Sequence, residues 1–376
     1  MNDEQYMKLA LKLAARGKGY ASPNPMVGAV LVKNDQIIGQ GYHQCCGQNH
    51  AEINAFADAG GNVAGTTLYV TLEPCSHYGK TPPCTDKIIE QKIKRVVIGA
   101  VDSNPLVCGK GVTRLQSAGV EVTTGILETK CRDLNEVFFH FMETGLPFVT
   151  IKYAQTLDGR IATATGHSQW ISSPASLRFA HQLRAEHDAI LVGANTVRYD
   201  DPTLTVRLIR GRNPLRIVVD SDLSLDPDAK ILQNLSRTPT LIATTQKASS
   251  ERFRKLASTG VLLLTLPPDE QGRVNLKELL PMLAKRNISS VLIEGGGQII
   301  TSALKDEIVN RLVAVIAPKI IGKGIEAVGD LNIRNLRDAK CLSVEKVLRK
   351  GTDIILDCRL TQTSRSKPLS CRPEPN

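Results

Sequence analysis

At 376 residues the chain exceeds one ordinary compact domain and suits two of middling size. Its 42% hydrophobic and 22% charged content is ordinary for soluble globular protein, and no apolar run approaches the eighteen residues of a membrane span. The net charge of +10 invites a nucleic-acid reading, but Lys and Arg are dispersed without a run of five, and aromatics at 4% leave little for base stacking.

A phosphorylated small substrate and a phosphorylated cofactor explain a mildly basic chain equally well. The start, Met1-Asn2-Asp3-Glu4-Gln5, lacks the basic and apolar regions of a signal peptide. Nine cysteines, an odd number, then favour reduced thiols in a cytoplasm over a disulfide framework.

In chain order, Tyr6, Leu9, Ala10 and Leu13 recur at helical spacing and predict a helix over 3–16. Val27–Val32 and Ile37–Tyr42 flank the polar turn Lys33-Asn34-Asp35-Gln36, a hairpin. A helix from His50 to Ala59 stops at Gly60-Gly61. Then come a strand (Thr67–Leu72), a helix (Cys84–Lys92), a strand (Val96–Val101), a helix (Gly111–Ala118), a strand (Val120–Thr123) and a helix (Cys131–Glu143). Such alternation implies an α/β unit with its sheet covered on both faces.

Gly145-Leu146-Pro147 makes a boundary, after which the alternation restarts at Phe148–Ala154. Further strands are expected at Ala189–Val192, Arg216–Val219, Thr240–Thr244, Val261–Leu264, Ser290–Ile293 and Leu312–Ile316. Helices are expected at Pro174–Ala185, Leu276–Lys285 and Gly297–Leu304. The expected domains are therefore 1–145 and 146–360, with a polar, proline-bearing tail over 361–376 that reads as disordered.

The most informative segment is His50-Ala51-Glu52, followed by Pro74-Cys75 and Cys84. One imidazole and two thiols can hold zinc with the fourth position open, the layout of a catalytic site. Zinc makes water a nucleophile near neutral pH, and Glu52 would carry its proton to a leaving ring nitrogen. His-x-Glu with Pro-Cys-x-x-Cys marks zinc nucleobase deaminases, but here eight residues separate the cysteines. Three ordinary readings compete. His77 would complete a structural zinc site, the thiols would be unrelated, or the protein would be a non-catalytic zinc scaffold. Asn24, between Pro23 and Pro25, suits hydrogen bonding to a pyrimidine edge or forms an ordinary Asn-Pro turn.

The zinc segment with its Thr81-Pro82-Pro83-Cys84 ending, together with Pro23-Asn24-Pro25, resembles the deaminase half of the bifunctional riboflavin-biosynthesis deaminase–reductases. Ala154-Gln155-Thr156-Leu157-Asp158-Gly159-Arg160, Ser168-Gln169-Trp170, Asp200-Asp201-Pro202-Thr203-Leu204-Thr205-Val206-Arg207 and Glu294-Gly295-Gly296 resemble the reductase half. The resemblance spans roughly 1–360. It implies a cytidine-deaminase-like α/β/α domain and a dihydrofolate-reductase-like α/β domain. The first would hydrolyse the 2-amino group of a 2,5-diamino-6-ribosylamino-pyrimidinone 5′-phosphate, and the second would reduce the ribosyl chain to ribityl with NADPH. One Zn2+ per chain and a homo-oligomer are expected, without membrane or nucleic acid. The runner-up is a tRNA base deaminase with an accessory domain, which should show a clustered basic face.

By the same resemblance, Asn24, His43, His77 and Lys80 line the pyrimidine and phosphate pocket, and Lys80 gives the widened cysteine gap a purpose. Ala154, Trp170, Thr196, Asp200, Ser221 and the run Gly296, Gly297, Gln298, Ile299, Ile300, Thr301 and Ser302 correspond to cofactor positions. Read alone, that glycine run is strand, turn and helix, whose bare amides can hold a diphosphate, but any tight turn would use it. It is not G-x-G-x-x-G. Trp170, the only tryptophan, would otherwise anchor a core. Arg184 and Arg207 match positions at the substrate phosphate, and Ser168, Leu204 and Glu294 match further substrate contacts. Lys152 would stabilise the imine or the reduced nitrogen, unless it is simply a solvated strand-edge lysine.

Overall fold

Two large sheets organise the residues described by this computed structural model, 1–78, 82–104 and 107–360. The chain divides into two compact units between Gly145 and Leu146. The tail expected to be disordered lies outside the described residues.

In the first unit the sheet order is Gln36–Tyr42, Gly28–Lys33, Thr67–Leu72, Arg95–Ala100, Glu121–Thr124. The last three run parallel and the hairpin is antiparallel. Asn34 and Asp35 both take positive φ, 47° and 60°, the left-handed two-residue turn that matches strand twist. Alternate residues serve opposite faces. Val30, Tyr69 and Val97 pack under the helix Asp3–Ala14. Leu31, Leu68, Val70 and Ile98 pack under Ala51, Ala55, Ile88 and Leu115. A Cβ at Gly41 would collide with the Ala51 carbonyl oxygen, so glycine lets the helix Ala51–Ala59 press against its strand.

One expectation here fails. Cys131–Glu143 is not a single helix but two, Glu128–Leu134 and Glu136–Thr144, broken at Asn135. The buried Asn135 amide accepts the Met26 N–H at 2.8 Å and donates to the Met26 carbonyl at 2.9 Å. Pairing both backbone groups of Met26 fixes Asn135 off the helical path.

The second unit holds a nine-stranded sheet. Its order is Leu262–Thr265, Thr240–Thr244, Leu215–Val219, Ala189–Gly193, Ser290–Ile293, Phe148–Thr156, Arg311–Ala317, Asp353–Leu360, Leu342–Lys350. The first seven are parallel and the last two antiparallel. Parallel strands bury both faces, so they read as apolar runs. Val149, Leu191, Ile217 and Ile293 face one core, and Ile190, Val218 and Leu292 the other. The closing hairpin escapes sequence reading because Leu342, Val344 and Val347 of its outer strand lie exposed among charges, and the buried positions of its inner strand include the acidic Asp353 and Asp357. The short helices Ala194–Asp200 and Ser250–Ala257 escape it too. No described helix is long and apolar enough to cross a membrane.

A fully buried imidazole gives this unit a pH signature. His187 Nδ1 donates to the Leu183 carbonyl at 2.7 Å, leaving Nε2 to accept from the Thr150 hydroxyl at 2.9 Å. Burial pushes its pKa down to about 4. The unfolded chain, with an ordinary histidine, binds more protons between that value and about 6.5, so stability is present above the window and is lost as pH falls through it. The expected loss is about 2 kcal/mol at pH 5. Denaturant unfolding followed by the fluorescence of Trp170, the only tryptophan, should show it. In His187→Gln the pH dependence should flatten by that amount; an unchanged slope would contradict the assignment.

Candidate active sites

His50 is the N-cap of the helix Ala51–Ala59, Cys75 lies just past the strand Thr67–Leu72, and Cys84 opens the helix Cys84–Glu90. Strand ends and helix N-termini thus bring the three together. His50 Nδ1 lies 3.5 Å from Cys75 Sγ and 3.3 Å from Cys84 Sγ. A tetrahedral zinc with Zn–S of about 2.3 Å and Zn–N of about 2.0 Å spaces those atoms about 3.5 Å apart. The donor set therefore fits zinc in both identity and spacing. These are the metal-type residues that cluster among the described ones, with all ligand atoms within 4.8 Å, and His77 is not in the cluster. A closed four-ligand site built on His77 finds no support.

Glu52 is 3% exposed and takes a hydrogen bond from the Cys84 thiol. Although two residues from His50 on a helix, it borders the same triad. Burial, and then the nearby Cys75 charge, push its pKa up to about 6. The Cys75 thiol is pulled down to about 4, first by its hydrogen bond with Cys84 and also by that with His50, while Cys84 is pushed up.

His43 packs edge-on against His50, ring centroids 5.4 Å apart. Its Nδ1 donates to the Asn49 carbonyl at 3.1 Å, so Nε2 accepts from the Asn24 amide nitrogen at 3.1 Å. Asn24 is thereby held through His43 as well as by its prolines. His77 is half-buried, with Nδ1 lacking a hydrogen-bond partner among the described residues. Lys80 lies outside the described residues.

Two carboxylates here escape sequence reading. Glu73, buried beside Pro74-Cys75, accepts four backbone N–H groups, from Asp102, Gly109, Gly111 and Val112, at 2.9–3.2 Å. It ties the Cys75 segment to the chain after the next strand. Asp102 is buried as well, its pKa raised to about 6 chiefly by burial, with Glu73 and Cys75 adding. The only sequence signal was a carboxylate placed directly after an apolar strand.

In the second unit a cavity of about 1540 Å³ opens at the carboxyl ends of the parallel strands. Such ends are where ligands bind in open α/β sheets. Lys152, Ala154, Ser168, Trp170, Arg184, Thr196, Asp200, Leu204, Arg207, Ser221, Glu294, Gly296, Gly297, Gln298, Ile299, Thr301 and Ser302 all line it. Ile300 does not. Its side chain is fully buried in the core and its N–H bonds the Gly296 carbonyl within the helix. Trp170 is 60% exposed, so it anchors no core.

At the cavity floor the Lys152 ammonium lies 3.2 Å from Glu294 Oε1, and Arg184 Nε donates to Glu294 Oε2 at 2.7 Å. These side chains are only 10–14% exposed, so Lys152 is no solvated edge lysine. Burial alone would raise Glu294, but Arg184 and Lys152 outweigh it and hold the carboxyl below its ordinary value. One carboxylate between two cations leaves the trio with one net positive charge. Arg207 adds another, donating to the Thr203 hydroxyl at 3.3 Å.

Around the glycine turn, the Thr196 hydroxyl accepts the Gly296 N–H at 3.1 Å, and Asn195 donates to the Gln298 side chain at 3.2 Å. A Cβ at Gly297 would strike the Glu326 carbonyl oxygen at 2.6 Å, so the helix Gly297–Lys305 can begin there only with glycine. Its first amides open on the cavity, the arrangement that suits a diphosphate. Ser168 donates to Asp200 at 3.0 Å, and Leu204 takes φ +51°.

Each unit matches a known protein family. Residues 1–100 match the cytidine and deoxycytidylate deaminase zinc-binding region, and 147–355 match the RibD C-terminal domain. The riboflavin biosynthesis protein RibD of Aquifex aeolicus is 47% identical over 355 residues, 94% of this chain and 97% of its own. That of Escherichia coli is 40% identical over 370 residues, 95% and 99%. The solved RibD structure from Acinetobacter baumannii superposes with TM-score 0.87 at 37% identity, covering 96% of this chain and 99% of that one. A Thermotoga maritima diaminohydroxyphosphoribosylaminopyrimidine deaminase / 5-amino-6-(5-phosphoribosylamino)uracil reductase superposes with TM-score 0.84 at 36% identity, with the same coverage.

Proposed function

Because the chain belongs to the RibD family of riboflavin biosynthesis proteins, we propose that it performs both chemical steps of that family with the residues described above. The deaminase step hydrolyses the 2-amino group of 2,5-diamino-6-ribosylamino-4(3H)-pyrimidinone 5′-phosphate. The reductase step converts the ribosyl chain to ribityl, giving 5-amino-6-ribitylamino-uracil 5′-phosphate. The observation that carries the reading is the zinc-spaced triad with Glu52 against it, in a chain whose other unit holds a cofactor-sized cavity.

When bound, zinc activates water for attack on the ring carbon. Glu52 takes the proton of the incoming water and delivers it to the 2-amino nitrogen, which leaves as ammonia. Buried beside the triad, Glu52 is placed to pass that proton without exchanging it with bulk water. Asn24, oriented by His43, hydrogen-bonds the pyrimidine edge, and His77 borders the ring.

NADPH supplies a hydride to the opened sugar. The first amides of the helix, from Gly297 on, would hold its diphosphate, with Thr196 fixing the turn through the Gly296 N–H and Asn195 bonding the Gln298 side chain. Ala154, Trp170, Asp200, Ser221, Ile299, Thr301 and Ser302 line its path. Lys152, its charge held by Glu294, stabilises the developing imine nitrogen. Arg184 and Arg207 take the substrate phosphate, and Ser168 and Leu204 border the ribosyl chain. Arg207→Ala should raise the reductase KM for its phosphorylated substrate about 10-fold or more, the worth of a charge-assisted hydrogen bond. Ammonia release should stay unchanged. A KM within twofold of the parent would remove Arg207 from the phosphate site.

Two coarser expectations accompany this reading. A homo-oligomer is supported by the edge strand Leu342–Lys350, which exposes Leu342, Val344 and Val347. Sedimentation of the full chain tests it, a monomer at micromolar concentration being the contrary result. A cytoplasmic location is supported by Cys75 and Cys84, which ligate metal only as reduced thiols. The activity itself is tested by zinc content and ammonia release from the diaminopyrimidinone phosphate. Zinc-free protein that still deaminates would refute the metal assignment.

A further inference from the structure

We infer that Arg198 selects the 2′-phosphate of the cofactor and so sets the preference for NADPH over NADH. The inference rests on the reading of the large cavity as the cofactor site. Most cations lining that cavity already have a carboxylate beside them, Lys152 and Arg184 sharing one. Lys152 and Arg184 are paired with Glu294, Lys230 with Asp201 at 3.1 Å, and Arg273 with Asp269 at 3.1 Å. Arg198 differs. Its guanidinium donates to Asn195 Oδ1 at 2.7 Å and to Ser224 Oγ at 3.0 Å, both neutral acceptors. Its whole positive charge is therefore left for an anion. The two hydrogen bonds also hold the guanidinium in one orientation, so less freedom is lost when an oxyanion docks.

Its place in the fold matches what a dinucleotide needs. Ser224 follows the strand Leu215–Val219, and Gly296 and Gly297 follow the strand Ser290–Ile293. One strand, Ala189–Gly193, separates them in the sheet. Two strand spacings are about 10 Å, the width over which an adenosine ribose can lie beside a diphosphate held at the glycine turn. The ribose then comes to Ser221, Asp222 and Ser224, all on the cavity wall.

Asp222 sharpens the argument. An acidic side chain beside the adenosine ribose accepts from a 2′-hydroxyl, whereas a nearby arginine accommodates a 2′-phosphate. Both kinds of group stand at this strand end. Asp222 alone would repel the phosphate; Arg252 lies 4.0 Å from it. Arg198 therefore decides between the two cofactors. The remaining cations on the wall that form no ion pair among the described residues are Arg207, on the Thr203 side, and Lys305, in the last turn of the helix that the glycines open.

The test is calorimetric binding of 2′,5′-ADP and 5′-ADP to the full chain, to Arg198→Ala and to Lys305→Ala. The parent protein should prefer 2′,5′-ADP. Arg198→Ala should weaken 2′,5′-ADP about 10- to 100-fold and leave 5′-ADP unchanged, which also shows the site intact. The NADPH:NADH ratio of kcat/KM should fall in parallel. Lys305→Ala should keep the parent's preference. If Arg198→Ala binds 2′,5′-ADP as the parent does, or if Lys305→Ala is the variant that loses the preference, the inference is wrong. A parent protein that binds neither nucleotide would instead overturn the cofactor reading, and this inference with it.

Discussion

Glu52→Gln should lower the kcat of deamination by about 10²–10⁴-fold, the usual worth of a positioned general acid–base. The amide keeps the shape of the carboxyl but can neither take a proton from the attacking water nor pass one to the leaving nitrogen. Because Glu52 is buried against Cys84 without being one of the three clustered donors, zinc content should remain one per chain. NADPH oxidation with the deaminated substrate should be unaffected, since that cavity lies wholly in the second unit's residues. Zinc lost along with activity would make Glu52 structural. Activity retained would leave a zinc scaffold whose acid–base group lies elsewhere.

The second large effect is expected from Cys84→Ser. Zinc prefers thiolate to a neutral hydroxyl, and losing one of three protein ligands leaves two, too few for a stable site. Zinc content should fall to near zero and ammonia release to background. The reductase half-reaction should persist, because Cys84 belongs to the first unit and every residue lining the cavity to the second. If both half-reactions vanished while the protein stayed folded by circular dichroism, the two sites would not be independent. Elemental analysis beside the two assays separates these cases.

The zinc triad was legible in the sequence because its parts are local. His50 and Glu52 share a helix start, and Cys75 and Cys84 bracket one short segment after a strand. The eight-residue gap that departs from the usual spacing still brings both sulfurs within 3.5 Å of one imidazole nitrogen. Glu73 was not legible, because its four backbone partners lie 29–39 residues downstream and no side-chain pattern announces a carboxylate that binds amides. The Lys152–Glu294–Arg184 trio was legible only through family resemblance. Arg184 and Glu294 are 110 residues apart, and only the parallel sheet makes them neighbours. Ile300 was carried along with a contiguous run, although a helix turns every fourth side chain back to the core. The single helix expected over Cys131–Glu143 failed for a similar reason: Asn135 answers to Met26, 109 residues away.

The central claim is that one chain couples zinc-dependent deamination to NADPH-dependent reduction. It is tested most directly by supplying the diaminopyrimidinone ribosylamino 5′-phosphate and NADPH to zinc-loaded protein, then measuring ammonia and oxidised cofactor together. The account predicts that both accumulate in equal amounts, with ammonia appearing first, and that chelating the zinc abolishes both, NADPH oxidation alone returning when the deaminated substrate is supplied. NADPH oxidation on the diamino substrate without ammonia release, or ammonia release with NADPH never consumed, would contradict it.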